Sequence, residues 1–311
     1  SKEQYSVMDK DELSKIFSTY ISEYAAAHFG EVQTKQNSFM YRIKLILENV
    51  LRLVKHTIDE LTQSEFFVTD CELKIGEDVP SYTVVLHDGH KIAVCGSVDR
   101  VDIMQKNGTT YLRVIDYKTG SKEFKLSDVL YGINLQMLLY LHSIEVSGSD
   151  RYGDIIPAGI LYMPATVPYI SSDSLKSIDK LPDELNKKLK MNGLLLKDTE
   201  IIHGMDKTDV ATYIPVKIKA GEPVSSTSLA TLAEFGKIFK KVDMLIAEMG
   251  KNIYNGNIEA KPLKGGHDSC EYCPYDSVCA YRQSNPITCF SVDNKTVIEE
   301  ITNEINGKEE E

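Results

Sequence analysis

Apolar positions recur along this chain at two periods, and the switch between them divides it. Over residues 39–64, Ile43, Leu47, Val50, Val54, Ile58 and Leu61 return every three or four positions, which lines one face of a helix. Residues 9–30 form a helical segment before it. From Phe66 the period falls to two, the spacing of strands whose alternate side chains share a face. Phe67–Ile75 and Tyr82–Leu86 are strands by this pattern, and Asp88-Gly89 turns the chain into a run from Lys91. Two alternating arms then flank Asn107-Gly108, the favoured pair for a tight type I′ turn. The prediction is a β-meander of about four strands whose final pair is a hairpin within Gly96–Gly120.

Beyond the hairpin, a helix is predicted over Ser127–Ser143 with Ser127 as its N-cap. Ile155–Tyr162 reads as a buried strand stopping before Pro164, and residues 178–191 as a Lys-rich helix. Residues 200–227 are polar and irregular, which predicts a long surface excursion. A long helix over Ser228–Gly250 carries Leu232, Phe235, Phe239, Val242, Ile246 and Met249 on one side, with Gly250 as its stop. This order predicts an α/β fold: a central mixed β-sheet flanked by helices. The chain divides into a helical part (1–66), a core with a helical insertion (67–256), a cysteine-rich segment (257–289) and an acidic tail (290–311), disordered from Asn303.

A chain of 311 residues, 42% hydrophobic and 26% charged, has the composition of a globular protein. No stretch approaches a membrane span and no signal peptide opens the chain, so a cytoplasmic protein is expected. A net charge of −11 argues against a surface coated in basic residues for non-specific nucleic-acid binding. It leaves room for a local basic groove, with Lys187, Lys188, Lys190 and Lys197, or Lys237, Lys240 and Lys241, as candidates, although a solvated helix face explains either group.

The hairpin carries the candidate chemistry. In its second arm Leu112, Val114, Asp116 and Lys118 share one face, while Tyr111, Arg113, Ile115 and Tyr117 take the other. In the first arm Asp99 lies with Cys95, Ser97 and Val101, and Asp102 with Val98 and Arg100, so only one of these aspartates can face Asp116. An acid on each arm with a lysine beside one suits phosphodiester hydrolysis. Carboxylates hold hard cations such as Mg²⁺, the metal activates a bound water, and the lysine offsets charge. An exposed hairpin with ordinary surface charges fits these residues equally well. Gln136 and Tyr140, four apart, share a face of the following helix, and Glu72 could reach the site from the first strand.

Cys270, Cys273 and Cys279 form a C-x₂-C-x₅-C cluster, a spacing that points to thiolate metal ligation, by zinc or an iron–sulfur cluster, more than to disulfides. A fourth ligand would come from Cys289, Cys71, Cys95 or His267.

GSVDRVD, VIDYKTG, QMLLY and the terminal cysteines, in that order, resemble the RecB-like branch of the PD-(D/E)XK (restriction-endonuclease-like) nucleases, and within it the AddB-type nuclease domains of bacterial helicase/nucleases. The likeness runs from about residue 39 to the cysteines. The resemblance implies a Mg²⁺-dependent deoxyribonuclease of double-strand-break repair and recombination. It would cut unwound single-stranded DNA beside AddA, the companion helicase/nuclease chain of such complexes. Asp99, Asp116 and the carbonyl of Tyr117 would be metal ligands and Lys118 the active-site lysine, with Gln136 and Tyr140 supporting the site and contacting DNA. Asp102 would lie outside it. Cys270, Cys273 and Cys279 would be three of four ligands to a 4Fe-4S cluster. The family's first cluster cysteine and metal-binding histidine, in motifs of the Cys-Pro and Gly-x-x-x-His kind, precede the region matching residue 39. Neither motif occurs in this chain, which implies that the fourth ligand lies outside it. The rival readings are a stand-alone Cas4-like exonuclease and an inactive nuclease-fold module that binds DNA or a partner protein.

Overall fold

Asn107 and Gly108 both take positive φ, 50° and 80°, as the type I′ turn requires. The computed structural model describes residues 10–34, 37–86, 88–120, 123–167, 181–225, 227–275, 277–279, 281 and 286–309. Its elements run α1 (Lys10–Thr34), α2 (Asn37–Thr62), β1 (Phe67–Ile75), β2 (Tyr82–Val85), β3 (Lys91–Val94), β4 (Gly96–Lys106) and β5 (Thr109–Lys118). A 3₁₀ turn (Leu126–Tyr131) then leads to α3 (Gln136–Ser147), α4 (Ser149–Tyr152), β6 (Ile155–Pro164), α5 (Leu181–Leu189), β7 (Asn192–Leu196) and α6 (Thr199–Met205). The chain closes with β8 (Lys217–Lys219), β9 (Glu222–Val224), β10 (Leu229–Ala230), α7 (Leu232–Tyr254), β11 (Leu263–Gly265), β12 (Ile287–Cys289) and α8 (Asn294–Glu309).

The expected mixed sheet is present, with six strands in the order β1-β4-β5-β6-β7-β10. β1, β4 and β5 are antiparallel, β5 and β6 parallel, β6 and β7 antiparallel, and β7 and β10 parallel. The last turns of α2 cover one face: Glu60 bonds to Arg100 and Arg113, and Thr57 lies against Met163. Gly204 of α6 joins them there, close enough to Met104 that a Cβ would come 2.7 Å from its sulfur. On the other face α3 packs against β5 and β6. Among the described residues no helix is long and apolar enough to cross a membrane.

Several local predictions are corrected. The meander fails because β2 and β3 pair only with each other, as a separate two-stranded sheet, and β1 pairs directly with β4. The predicted 127–143 helix is a 3₁₀ turn ending at Gly132 (φ 70°) and a second helix from Gln136, and Ser127 makes no cap. β6 runs through Pro164. Residues 178–180 of the Lys-rich helix lie outside the described residues. The 200–227 stretch is no loose excursion, since Ile201, Ile202, Met205, Ala211, Ile214 and Val216 are all buried. Gly250 does not stop α7; it sits inside the helix where a Cβ would come 1.9 Å from Ile92. The start of α7 is fixed instead by a capping box between Thr231 and Glu234. The acidic tail folds as α8, because Val297, Ile301 and Ile305 form one buried stripe along it. Two of the lysines proposed for a DNA groove are used internally. Lys190 donates to the carbonyls of Ala211 and Val216, and Lys241, buried, pairs with Glu304 of α8.

α3 is tied to α7 and β2 through His142. Its ring stacks on Phe239 and meets the edge of Tyr82, and its nitrogens lie 3.2 Å from Glu145 and 3.3 Å from Asp243. Tyr82 also donates to Asp243, at 2.7 Å. Burial alone would lower the imidazole pKa, but Asp243 and then Glu145 outweigh it and push it up to about 9 from 6.5. A raised folded-state pKa stabilises fully below the unfolded value, and that stability is lost as pH rises through the folded one. Stability is therefore expected to fall between about pH 6.5 and 9 in wild type, and to be flatter over that range in His142→Gln. Thermal melts across the range check this, and parallel curves for the two proteins would refute it.

Candidate active site

The strand register assembles the site. β1 and β4 pair Cys71 with Arg100 and Leu73 with Val98, so Glu72 and Asp99 fall opposite each other. β4 and β5 pair Arg100 with Ile115, and one step further in the same register sets Asp99 opposite Asp116. β5 and β6 pair Asp116 with Tyr162. Glu72, Asp99, Asp116 and Tyr162 thus form one row across four adjacent strands.

Within the row, Asp99 accepts the backbone N–H of Tyr117 at 2.9 Å. The N–H and C=O of one strand residue point to the same neighbour, so the Tyr117 carbonyl is directed toward the Asp99 strand as well. Asp116 is only 4% exposed, and its Oδ2 accepts no hydrogen bond but faces the Lys118 ammonium at 2.5 Å. Glu72 holds an unusual left-handed φ of 55° and accepts the Ser97 hydroxyl at 3.1 Å, which brings it to the side of β4 that carries Asp99. The periodicity could not settle that placement, because the distorted backbone departs from strand alternation.

Gln136 donates to the Tyr140 hydroxyl at 3.1 Å. Tyr140 lies against Gly96, where any Cβ would come 2.6 Å from its ring. That close approach, three residues before Asp99 on β4, sets the helix pair beside the strand that carries the acid. Tyr162 is a residue that sequence reasoning missed. It is buried at 2% exposure with the Lys118 ammonium 5.6 Å from its ring centroid, and only the parallel β5–β6 pairing could have revealed it.

Asp102 lies on the opposite face, as the alternation required. It is fully buried in a tetrad with Arg100, Arg113 and Glu60. Arg100 grips both of its carboxylate oxygens, at 2.7 and 2.6 Å, and Arg113 reaches it at 2.8 and 3.0 Å. Burial works against its ionisation, but the two guanidinium groups outweigh burial and hold its pKa below the ordinary value.

The oxygen donors of Asp99, Asp116 and Tyr117 have the chemistry that a hard divalent cation takes, and the buried Asp116 oxygen without a hydrogen bond is a ligand position in waiting. Among the described residues no three His, Cys, Asp or Glu side chains converge to hold a metal, which agrees with a set of two carboxylates and one backbone carbonyl. The cysteines are a different matter. Cys270 and Cys273 are half-buried and Cys279 exposed, and with no such convergence the thiols do not form a closed site in this arrangement. Cys289 is buried and engaged elsewhere, accepting the His267 N–H at 3.2 Å and contacting the Lys264 carbonyl at 3.1 Å. Cys95 contacts Ser81, 3.3 Å away.

A sequence profile of the PD-(D/E)XK nuclease superfamily matches residues 3–280. The chain is 35% identical over 277 residues to the AddB subunit of the ATP-dependent helicase/deoxyribonuclease of Thermoanaerobacter sp. (strain X514), covering 87% of this chain and 24% of that protein. It is 36% identical over 246 residues to the protein of the same name from Clostridium acetobutylicum (77% and 21%). With that of Clostridium botulinum (strain Loch Maree / Type A3) it shares 38% over 252 residues (77% and 22%). The chain thus spans about a quarter of the length of these relatives.

Proposed function

This chain belongs to the PD-(D/E)XK nuclease superfamily, and on that premise we propose that it hydrolyses DNA phosphodiesters with Mg²⁺, acting on single-stranded DNA within a helicase/nuclease complex of double-strand-break repair. The observation that carries the reading is the buried Asp116 oxygen, free of hydrogen bonds, beside Lys118 and one strand from Asp99. Asp99, Asp116 and the Tyr117 carbonyl would hold the cation, which when bound lowers the pKa of a water. Asp99 is oriented by the Tyr117 N–H. Lys118, positive and a quarter exposed, offsets charge that builds on the phosphate as it is attacked. Gln136 and Tyr140 line the approach to β4 and contact the strand. The names of the relatives support a DNA substrate and a companion chain, AddA, in the complex.

Assembled with that companion, the intact protein should degrade a labelled single-stranded oligonucleotide with Mg²⁺, leave it whole with a chelator, and degrade it again when Mg²⁺ is restored. Binding without cleavage under every metal condition would overturn the reading in favour of a DNA-binding module. Cys270, Cys273 and Cys279 are proposed as three ligands of a 4Fe-4S cluster whose fourth ligand lies outside these 311 residues. Iron and sulfide analysis of the intact protein tests that part separately, and an iron-free, fully active protein would remove it.

A further inference from the structure

We propose that Tyr162 is a positioning residue for Lys118: the face of its ring keeps the lysine ammonium at the reacting site when the Asp116 carboxylate turns to a cation. The inference rests on the nuclease reading above and adds a residue to it.

Lys118 and a metal ion compete for the same atom. The ammonium lies 2.5 Å from Asp116 Oδ2, an oxygen that the cation would take. A lysine released from that pair sits at the end of a flexible four-carbon stem and would spread over many rotamers in water. The Tyr162 ring is the other attractive surface within its reach, at 5.6 Å from ammonium to centroid, inside the range of a cation–π contact. Tyr162 itself cannot follow the lysine outward. It is 2% exposed and its strand is paired on both sides, opposite Asp116 on β5 and Asn192 on β7. Burial, then the negative charges of Asp116 and Asp128, push the phenol pKa up to about 12, so the residue presents a neutral π face. A residue serving only to fill the core would be replaceable by any side chain of similar volume; one that holds an ammonium needs the ring.

The test uses the intact protein carrying Tyr162→Phe, Tyr162→Met, or pentafluorophenylalanine at position 162, which keeps the shape of the ring and drains its face. Two quantities are read: kcat and KM for Mg²⁺-dependent cleavage of a single-stranded oligonucleotide, and the rate at which an acylating reagent labels Lys118 in Mg²⁺ without DNA, by peptide mass spectrometry. Tyr162→Phe is expected to stay within about threefold of wild type in both. The Met and pentafluorophenylalanine proteins should lose about tenfold or more in kcat, with KM little changed and Lys118 labelled several-fold faster, as loss of a desolvated cation–π contact implies. Wild-type kcat and labelling in the pentafluorophenylalanine protein would overturn the proposal, and so would a Phe variant as impaired as the Met variant. Lys118→Ala separates the two readings. If it cleaves as wild type does, the role given to Lys118 fails, while the labelling rates still report whether Tyr162 holds it.

Discussion

Asp116→Asn in the intact protein is expected to reduce Mg²⁺-dependent DNA cleavage by roughly a thousandfold or more, because removing a metal ligand forfeits several kcal/mol of transition-state stabilisation and each 1.36 kcal/mol is tenfold in rate. Asp99→Asn and Lys118→Ala should follow it, as members of one row and one ion pair. The fold should survive. Asp116 is a buried carboxylate with an oxygen that no hydrogen bond satisfies, an arrangement that costs stability and is retained where function needs it. A neutral amide of the same shape removes the buried charge, so the Asp116→Asn melting temperature is expected at or near the wild-type value. Cleavage within about tenfold of wild type, a loss of only 1.36 kcal/mol, would exclude Asp116 as a metal ligand. A protein that no longer melts cooperatively would show instead that the residue is structural.

Asp102→Ala is expected to do the reverse, destabilising the protein by about 3–5 kcal/mol, the usual consequence of removing one partner from a buried ion pair. Against a total stability of about 5–15 kcal/mol this is a large share. Asp102 and Glu60 together balance the charges of Arg100 and Arg113, and all four side chains are at most 2% exposed. Without Asp102, two guanidinium groups would share Glu60, with one positive charge uncompensated in the interior. The tetrad also joins distant parts of the chain, since Glu60 comes from α2 while the other three come from the hairpin. Denaturant unfolding should show a lower midpoint at unchanged slope. A shift below about 1 kcal/mol would mean that the tetrad is loosely held, as exposed pairs are. Any loss of cleavage in this variant should disappear under conditions that restore folding, because Asp102 lies across the sheet from Asp116. The two aspartates of DRVD therefore have opposite tasks.

That division was legible without coordinates. Side chains alternate strictly along a strand, so Asp99 and Asp102, three apart, had to part company, and a one-residue error would have reversed every assignment on the hairpin. The turn at Asn107-Gly108 was equally readable, because few residues tolerate two consecutive positive φ values. Both signals are local, carried by residues within a few positions of one another.

What the sequence left undecided depends on contacts between distant segments. Nothing near Glu60 indicates that it will neutralise arginines 40 and 53 residues away, and nothing near Tyr162 that a parallel strand will bring it beneath Lys118. Local pattern favoured pairing β1 with β2, yet β1 found its partner in β4, where Leu73 and Val98 are buried together. A glycine that would normally end a helix continues one because Ile92 needs the space. An acidic tail folds because three apolar residues meet a core that only the assembled protein offers. Periodicity is a property of neighbours in the chain and determines which face a residue takes; burial and pairing depend on what arrives opposite that face, which only the tertiary structure decides.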